Sequence, residues 1–166
     1  MNMRKIFGAA IFVVFSGAAS ADITVTFGGD WDGVTVPDGQ QCHLHGGNGA
    51  TPPISLTGLP DGAAVVVLEF NDKSYRPLSE NGGHGAIAFD VTGMSAELPA
   101  VPELSDELGD GIRVQHAARS SGNYASPGYL APCSGGQGNR YTVDIIVKNA
   151  IGAPLETLTD IDIGRY

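Results

Sequence analysis

The chain has 166 residues, of which 18 are acidic and 9 are basic, so its formal net charge is −9. This acidity argues against nucleic acid and against an anionic membrane surface as the main partner, because both require a basic footprint. The length and the hydrophobic fraction of 42% are typical of one domain with a sizeable core.

The first 21 residues have the three parts of a secretory signal peptide. A basic start with Arg4 and Lys5 precedes the apolar run 6–15, and the small residues 19–21 follow. This run falls short of the roughly 20 residues that span a bilayer, so we expect cleavage before Asp22 and no permanent anchor. The predicted product is a single domain, residues 22–166, with a formal charge of −11. It lacks a later run that is long and apolar enough to span a membrane, and we expect it to be periplasmic or secreted.

The chain contains two cysteines, Cys42 and Cys133. In an exported protein they predict one disulfide, because the compartment is oxidising and only one pairing exists. The bridge would bring the segments around the two cysteines into one region of the fold.

Most of the predicted elements are short strands. Alternating apolar and polar residues predict strands at 23–27, 54–56, 111–116 and 141–148. The valine-rich run 63–70 and the run 84–91 are typical of core strands, the first covered on both faces. We also expect a short strand at 34–36 and one helical turn at 105–108, while the tail 155–163 fits either a short helix or an edge strand. With glycine and proline turns between them, these elements predict a mostly β sandwich.

Polar residues stand at the ends of the two apolar runs. Asn71 and Asp72 follow the first run, and His84 begins the second. In an antiparallel pair these positions lie close together on one rim of the sheet. Because a strand end is a rigid support, Asp72 and His84 are candidate ligand-binding residues. The alternative for His84 is an exposed histidine at the start of a strand.

His43 and His45 form the one metal-like pattern of the chain. A His-x-His on an extended backbone places both imidazoles on the same side. Such a site needs a further ligand, for which His84 and His116 are the candidates, since we expect Cys42 to be in the disulfide. The alternative is a pair of exposed loop histidines.

The loop 127–141 is rich in small residues and runs directly into the strand at 141–148. It carries Cys133, Arg140 and two tyrosines on a glycine-rich backbone, which allows polar groups to surround a small concavity. We interpret it as a binding loop, in which Arg140 and backbone amides would hold a small anion.

Three blocks of the sequence together resemble the phosphatidylethanolamine-binding protein family, in particular its bacterial Raf-kinase-inhibitor-like branch. The first contains Cys42, a Gly-Gly-Asn at 46–48 and the run 51–60, similar to that branch's pattern of Cys, Gly-Gly-Asn, Ser-Pro-x-Leu-Ser-Trp and Gly-x-Pro. The second is the valine-rich run with Asp72, followed by His84. The third is the loop 127–141, similar to the family's Gly-Tyr-x-Gly-Pro-Cys-Pro-Pro followed by His-Arg-Tyr.

The resemblance implies a two-sheet antiparallel β-sandwich with few short helices and a small anion pocket at one end. Carried over residue by residue, the pocket involves Asp72, His84, Pro132, Asn139, Arg140 and Tyr141. Asn139 stands where the family has histidine, and Ser134 and Gly135 stand where it has two prolines. We therefore expect a phosphate site with weaker charge and less preorganisation.

The functional prediction is an exported, non-catalytic binding protein that uses no cofactor. Its ligand would be a small anionic or polar group or a peptide segment, and it would modulate a partner protein. One alternative is a metal-binding periplasmic protein that uses His43 and His45. Another is a weak hydrolase with Ser134 or Tyr141 as nucleophile and His84 as base, although the sequence has neither a Gly-x-Ser-x-Gly elbow nor a His-Glu-x-x-His motif.

Overall fold

A computed structural model describes residues 22–166, and the predicted signal peptide, residues 1–21, lies outside the described residues. The described chain forms eight β-strands: β1 Thr24–Phe27, β2 Ile54–Thr57, β3 Ala63–Asp72, β4 Ala86–Asp90, β5 Ser95–Leu98, β6 Ile112–His116, β7 Arg140–Asn149 and β8 Pro154–Arg165. It also forms short 3₁₀-helices at His43–His45, Arg76–Leu78 and Gly122–Tyr124. Within this range no helix has the length and apolar character needed to cross a membrane.

The strands form two antiparallel sheets, which confirms the mostly β prediction. One sheet has the order β1-β2-β5, and the other has the order β6-β4-β3-β7-β8. In the larger sheet β3 is central and pairs with β7 over nearly its whole length, from Ala63 opposite Asn149 to Asp72 opposite Tyr141. This register places Asp72 and Tyr141 side by side at the same end of the sheet.

The main core lies between the two sheets. Val66, Leu68 and Phe70 of β3 share one buried cluster with Ile54 and Leu56 of β2. These side chains are almost fully buried, and each contributes about 1.5–3 kcal/mol relative to an exposed position. The alternation along β3 therefore fixes which of its side chains face the smaller sheet.

The other face of β3 is also covered. Val67 forms a second small cluster with Ala86 and Ala88 of β4, next to the partly buried Val65 and Ile146. Side chains on both faces are thus removed from water, as the continuous apolar run predicted. The apolar run is followed by two polar residues, Asn71 and Asp72, which end β3 at one end of the sheet.

Some local predictions changed. The tail 155–163 is part of the edge strand β8, because β7 offers it a free edge for pairing. Residues 34–36 form only a bridge between Thr35 and Arg165, and β5 is a short strand that the sequence did not indicate. No helical turn forms at 105–108, and Leu104 just before it has a φ of 61°, in the left-handed region.

Backbone contacts place His84 beside the end of β3. Its N–H donates to the carbonyl of Phe70 over 2.8 Å, and its carbonyl accepts from Leu130 N over 2.8 Å. Gly85 has a φ of 101°, and a Cβ there would lie 2.4 Å from the carbonyl oxygen of Gly128. Only glycine lets the loop at 127–131 approach this closely, so Gly85 determines how the loop packs on His84.

Candidate functional site

A cavity of about 670 Å³ opens at the end of the larger sheet where β3 ends and β7 begins. Four of the predicted site residues line it, and the remaining lining residues come from the loops after β3, after β6 and before β7. The lining residues are Asp72, Ser74, Tyr75, Pro77, Leu78, His84, Arg119, Ser120, Ser121, Tyr124, Leu130, Cys133, Ser134, Gln137, Asn139 and Tyr141.

Asp72, the last residue of β3, is 4% exposed. Its Oδ1 accepts a hydrogen bond from the backbone N–H of Ser74 over 2.9 Å, and its Oδ2 accepts one from Nδ2 of Asn139 over 2.7 Å. Both partners are donors, so the carboxylate acts only as an acceptor. Asn139, the residue just before β7, thus contacts the carboxylate of Asp72.

His84 is 3% exposed, and its Nδ1 lies 2.9 Å from the carbonyl oxygen of Leu130. A carbonyl can only accept, so Nδ1 carries the hydrogen and the neutral ring has an acceptor at Nε2. Burial lowers the pKa of His84 below its ordinary value, opposed by the Leu130 carbonyl and by the charge of Asp72. His84 is therefore a neutral imidazole at neutral pH.

Tyr141 is 2% exposed and packs edge-on against His84, with ring centroids 5.3 Å apart and planes at 80°. Its hydroxyl oxygen accepts a hydrogen bond from the backbone N–H of Cys133 over 3.0 Å. Burial raises the pKa of Tyr141, and the charge of Asp72 raises it further. The hydroxyl therefore stays protonated and acts as a donor toward its surroundings.

Arg140 does not line the cavity. It neighbours Tyr141 on β7, and successive strand residues point to opposite faces. Its Nε donates to Oδ1 of Asp162 over 2.5 Å and its Nη2 donates to the carbonyl of Asp160 over 3.3 Å, both on β8. The hydrogen bond to Asp162 is the main cause that raises the pKa of Arg140. The structure thus places the guanidinium of Arg140, which was predicted to bind an anion, beside β8.

Pro132 does not line the cavity either. Its carbonyl oxygen accepts a hydrogen bond from the backbone N–H of Cys42 over 3.0 Å. The predicted disulfide between Cys42 and Cys133 is confirmed, with the Cα atoms 5.2 Å apart and the cysteines 91 positions apart in sequence. Pro132 therefore helps to join two distant loops behind the cavity wall.

Glu103 is a buried carboxylate that the sequence did not indicate. Its side chain is 3% exposed, and it accepts hydrogen bonds from the backbone N–H groups of His43 over 2.6 Å and of Ala131 over 3.3 Å. It therefore connects the segment after Cys42 to the residue next to Leu130. No local pattern marks this role, because both partners are distant in sequence.

Arg119 forms part of the cavity wall and was also not predicted. Its guanidinium donates to the carbonyls of Pro77 over 3.2 Å, Glu80 over 2.7 Å and Asn81 over 3.0 Å. These bonds join the loop after β6 to the loop after β3. Arg119 is an exposed residue at the cavity rim.

His43 and His45 lie in a 3₁₀-helix and not on an extended backbone. With three residues per turn, positions i and i+2 point in different directions. Nδ1 of His43 lies 3.4 Å from Glu103, whereas the His45 ring lies 6.3 Å from that of Tyr166. The two imidazoles therefore lie beside different groups.

Among residues 22–166, the metal-ligand atoms of Cys42, His45 and Cys133 lie within 4.8 Å of one another. The two sulfurs are bonded to each other, so they are not thiolate ligands. The third-ligand candidates lie elsewhere: His84 is buried at the cavity, and Nδ1 of His116 is 3.1 Å from the carbonyl of Ala117.

Comparison with known proteins finds no matching family model, curated protein or solved structure.

Proposed function

We propose that this protein is an exported, non-catalytic binding protein whose small polar ligand occupies the cavity at the end of β3. The observation that carries this proposal is the meeting of three buried polar side chains, Asp72, His84 and Tyr141, at one cavity of about 670 Å³. Burying polar groups is unfavourable unless they are hydrogen-bonded, so three such groups at one opening suit a ligand that completes their bonding.

We also propose that the chain is a divergent member of the phosphatidylethanolamine-binding protein family, close to its bacterial Raf-kinase-inhibitor-like branch. Two antiparallel sheets and the placement of Asp72, His84 and Tyr141 at one end support this assignment. Differences in this chain include Asn139 in place of the family's histidine and Ser134 and Gly135 in place of its two prolines. They bear on the ligand more than on the fold.

One hydrogen bond and one pKa shift favour binding over hydrolysis. The Ser134 hydroxyl donates a hydrogen bond to the backbone carbonyl of Tyr166, which directs its proton away from His84. Tyr141 has a raised pKa, which disfavours the phenolate that a nucleophile requires. If ester hydrolysis is nevertheless detected and is lost in His84→Ala, the hydrolase alternative is correct.

Export to the periplasm or the medium is proposed from the signal-like residues 1–21 together with the disulfide between Cys42 and Cys133. The acidic surface suits a partner protein with a basic face, which the ligand-binding domain would modulate. No cofactor is required for either role.

The test is a titration of residues 22–166 with small-molecule probes, in which the NMR signals of His84 and Tyr141 report binding. The probes are inorganic phosphate, acetate, phosphorylethanolamine, ethanolamine and a short aromatic amine. Shifts of both residues with at least one probe support a binding cavity. If every probe leaves both residues unchanged at millimolar concentration, the proposal is wrong. Elemental analysis of protein made without a histidine tag tests the metal alternative in the same preparation.

A further inference from the structure

The floor of the cavity, formed by Asp72 and His84, presents hydrogen-bond acceptors, whereas the hydroxyl of the neighbouring Tyr141 is a donor. Asp72 presents a carboxylate whose two oxygens each accept one hydrogen bond from the protein. Each oxygen has a second lone pair, so the group retains capacity for a ligand donor. His84 uses Nδ1 to donate to Leu130, which makes Nε2 an acceptor in the neutral ring.

The basic residues around this floor are bonded elsewhere. Lys73, next to Asp72, has its Nζ 2.8 Å from Oδ1 of Asp160, and Arg140 donates to Asp162. Among the described residues that line the cavity, Arg119 is the single Lys or Arg, and it lies at the exposed rim with three bonds to backbone carbonyls. An anion on the floor would therefore meet the negative charge of Asp72 without a facing cation.

From this geometry we infer that the ligand presents a protonated primary amine to Asp72 and Nε2 of His84. An ammonium group carries three N–H donors and no acceptor, which matches a floor of acceptors. A hydrogen bond from a charged donor to a carboxylate is also among the strong ones. The inference rests on the proposed binding function, and it replaces the anion that the family resemblance implies with a group of opposite charge.

The rest of the cavity indicates what the amine is attached to. A volume of about 670 Å³ is far larger than an ammonium group. Tyr75 and Tyr124 line the cavity and are 53% and 44% exposed, and Pro77 and Leu78 also line it. Aromatic and aliphatic walls suit an apolar or aromatic carbon skeleton. The ligand class is therefore a small primary amine with an apolar body.

The test uses three probes with closely related bodies and different charge: 2-phenylethylamine, 2-phenylethanol and 3-phenylpropionate. Affinities for residues 22–166 are measured by calorimetry or NMR at about pH 7.5, where His84 is neutral. We expect the amine to bind about tenfold or more tightly than the alcohol, and the carboxylate to bind most weakly.

A matched pair of variants separates local charge from net charge. Asp72→Asn should reduce amine affinity about tenfold or more and change alcohol affinity by less than about threefold. Asp61→Asn is the control, because it makes the same change in net charge. Asp61 is exposed in the turn before the start of β3, whereas Asp72 ends that strand, so amine affinity should be unchanged.

The outcomes distinguish the two proposals. If the carboxylate or inorganic phosphate binds more tightly than the amine, the amine inference is overturned and the binding function stands. Equal affinities for amine and alcohol also overturn it. If no probe binds at millimolar concentration, both proposals fail. The wild-type probe series decides the question even if Asp72→Asn does not fold.

Discussion

Asn139 donates a hydrogen bond of 2.7 Å from Nδ2 to the carboxylate of Asp72, and this bond joins the end of β3 to the residue just before β7. The two residues are 67 positions apart in sequence. They bring the glycine-rich loop onto the strand end, and the floor of the cavity depends on this contact.

Replacing Asn139 by alanine should destabilise the protein by about 1.5–3 kcal/mol, because the donor of a hydrogen bond to a charged group is removed. Chemical denaturation measures the change. Asn123→Ala is the control, since Asn123 is exposed in the short 3₁₀-helix Gly122–Tyr124, and its effect should stay within about 0.5 kcal/mol. Equal effects of the two substitutions would show that the contact with Asp72 adds no stability.

His84 should make stability depend on pH. Its pKa in the folded protein lies below the ordinary value of 6.5, so the unfolded chain binds a proton first as the pH falls. This contribution is fully present above pH 6.5 and is lost progressively below it, by up to about 1.4 kcal/mol per pH unit.

The measurement is the free energy of unfolding at about pH 7.5 and about pH 5 for the wild type and for His84→Gln. Glutamine retains a donor for the Leu130 carbonyl and does not titrate. All other groups titrate in both proteins, so the variant should lose less stability in acid. An identical loss in both proteins would contradict the prediction.

The disulfide should stabilise both the chain and the cavity wall. In the chain-entropy model, a bridge between cysteines 91 residues apart contributes about 4–5 kcal/mol. The Cys42→Ser/Cys133→Ser double variant should unfold at lower denaturant concentration. On reduction, Tyr141 should respond first, because its hydroxyl accepts from the backbone of Cys133. NMR shifts of Tyr141, compared with far-UV circular dichroism, test this order, and simultaneous loss of both signals would refute it.

Gly85→Ala should destabilise the protein by about 2 kcal/mol or more. The residue has a φ of 101°, and a Cβ would lie 2.4 Å from the Gly128 carbonyl oxygen. Gly109→Ala is the control for backbone strain alone, since Gly109 has a φ of 88° with nothing within 4 Å of the added Cβ. Thermal unfolding compares the two. If they cost the same, the contact with Gly128 does not add to the strain.

Several features followed from the sequence because their causes are local. The valine-rich run predicted β3 as a core strand, and alternation predicted a strand at 141–148, where Tyr141, Val143, Ile145 and Val147 are buried on β7. Two cysteines left only one pairing, and the structure contains it. The positions of Asp72 and His84 at the ends of neighbouring antiparallel strands predicted that they would meet on one rim.

Tertiary structure determined which charged groups line the cavity. Arg140 was predicted to hold an anion, but β8 pairs with β7 and brings Asp162 to its guanidinium. The hydrogen on Nδ1 of His84 depends on the carbonyl of Leu130, 46 residues away. Glu103 and Arg119 likewise bond to distant loops. Sequence periodicity reports which face of a strand is buried, whereas the partner of each polar group depends on strand register and loop packing. The sequence thus indicated four of the residues that line the cavity, and long-range contacts determined that Asp72 and His84 present acceptors there.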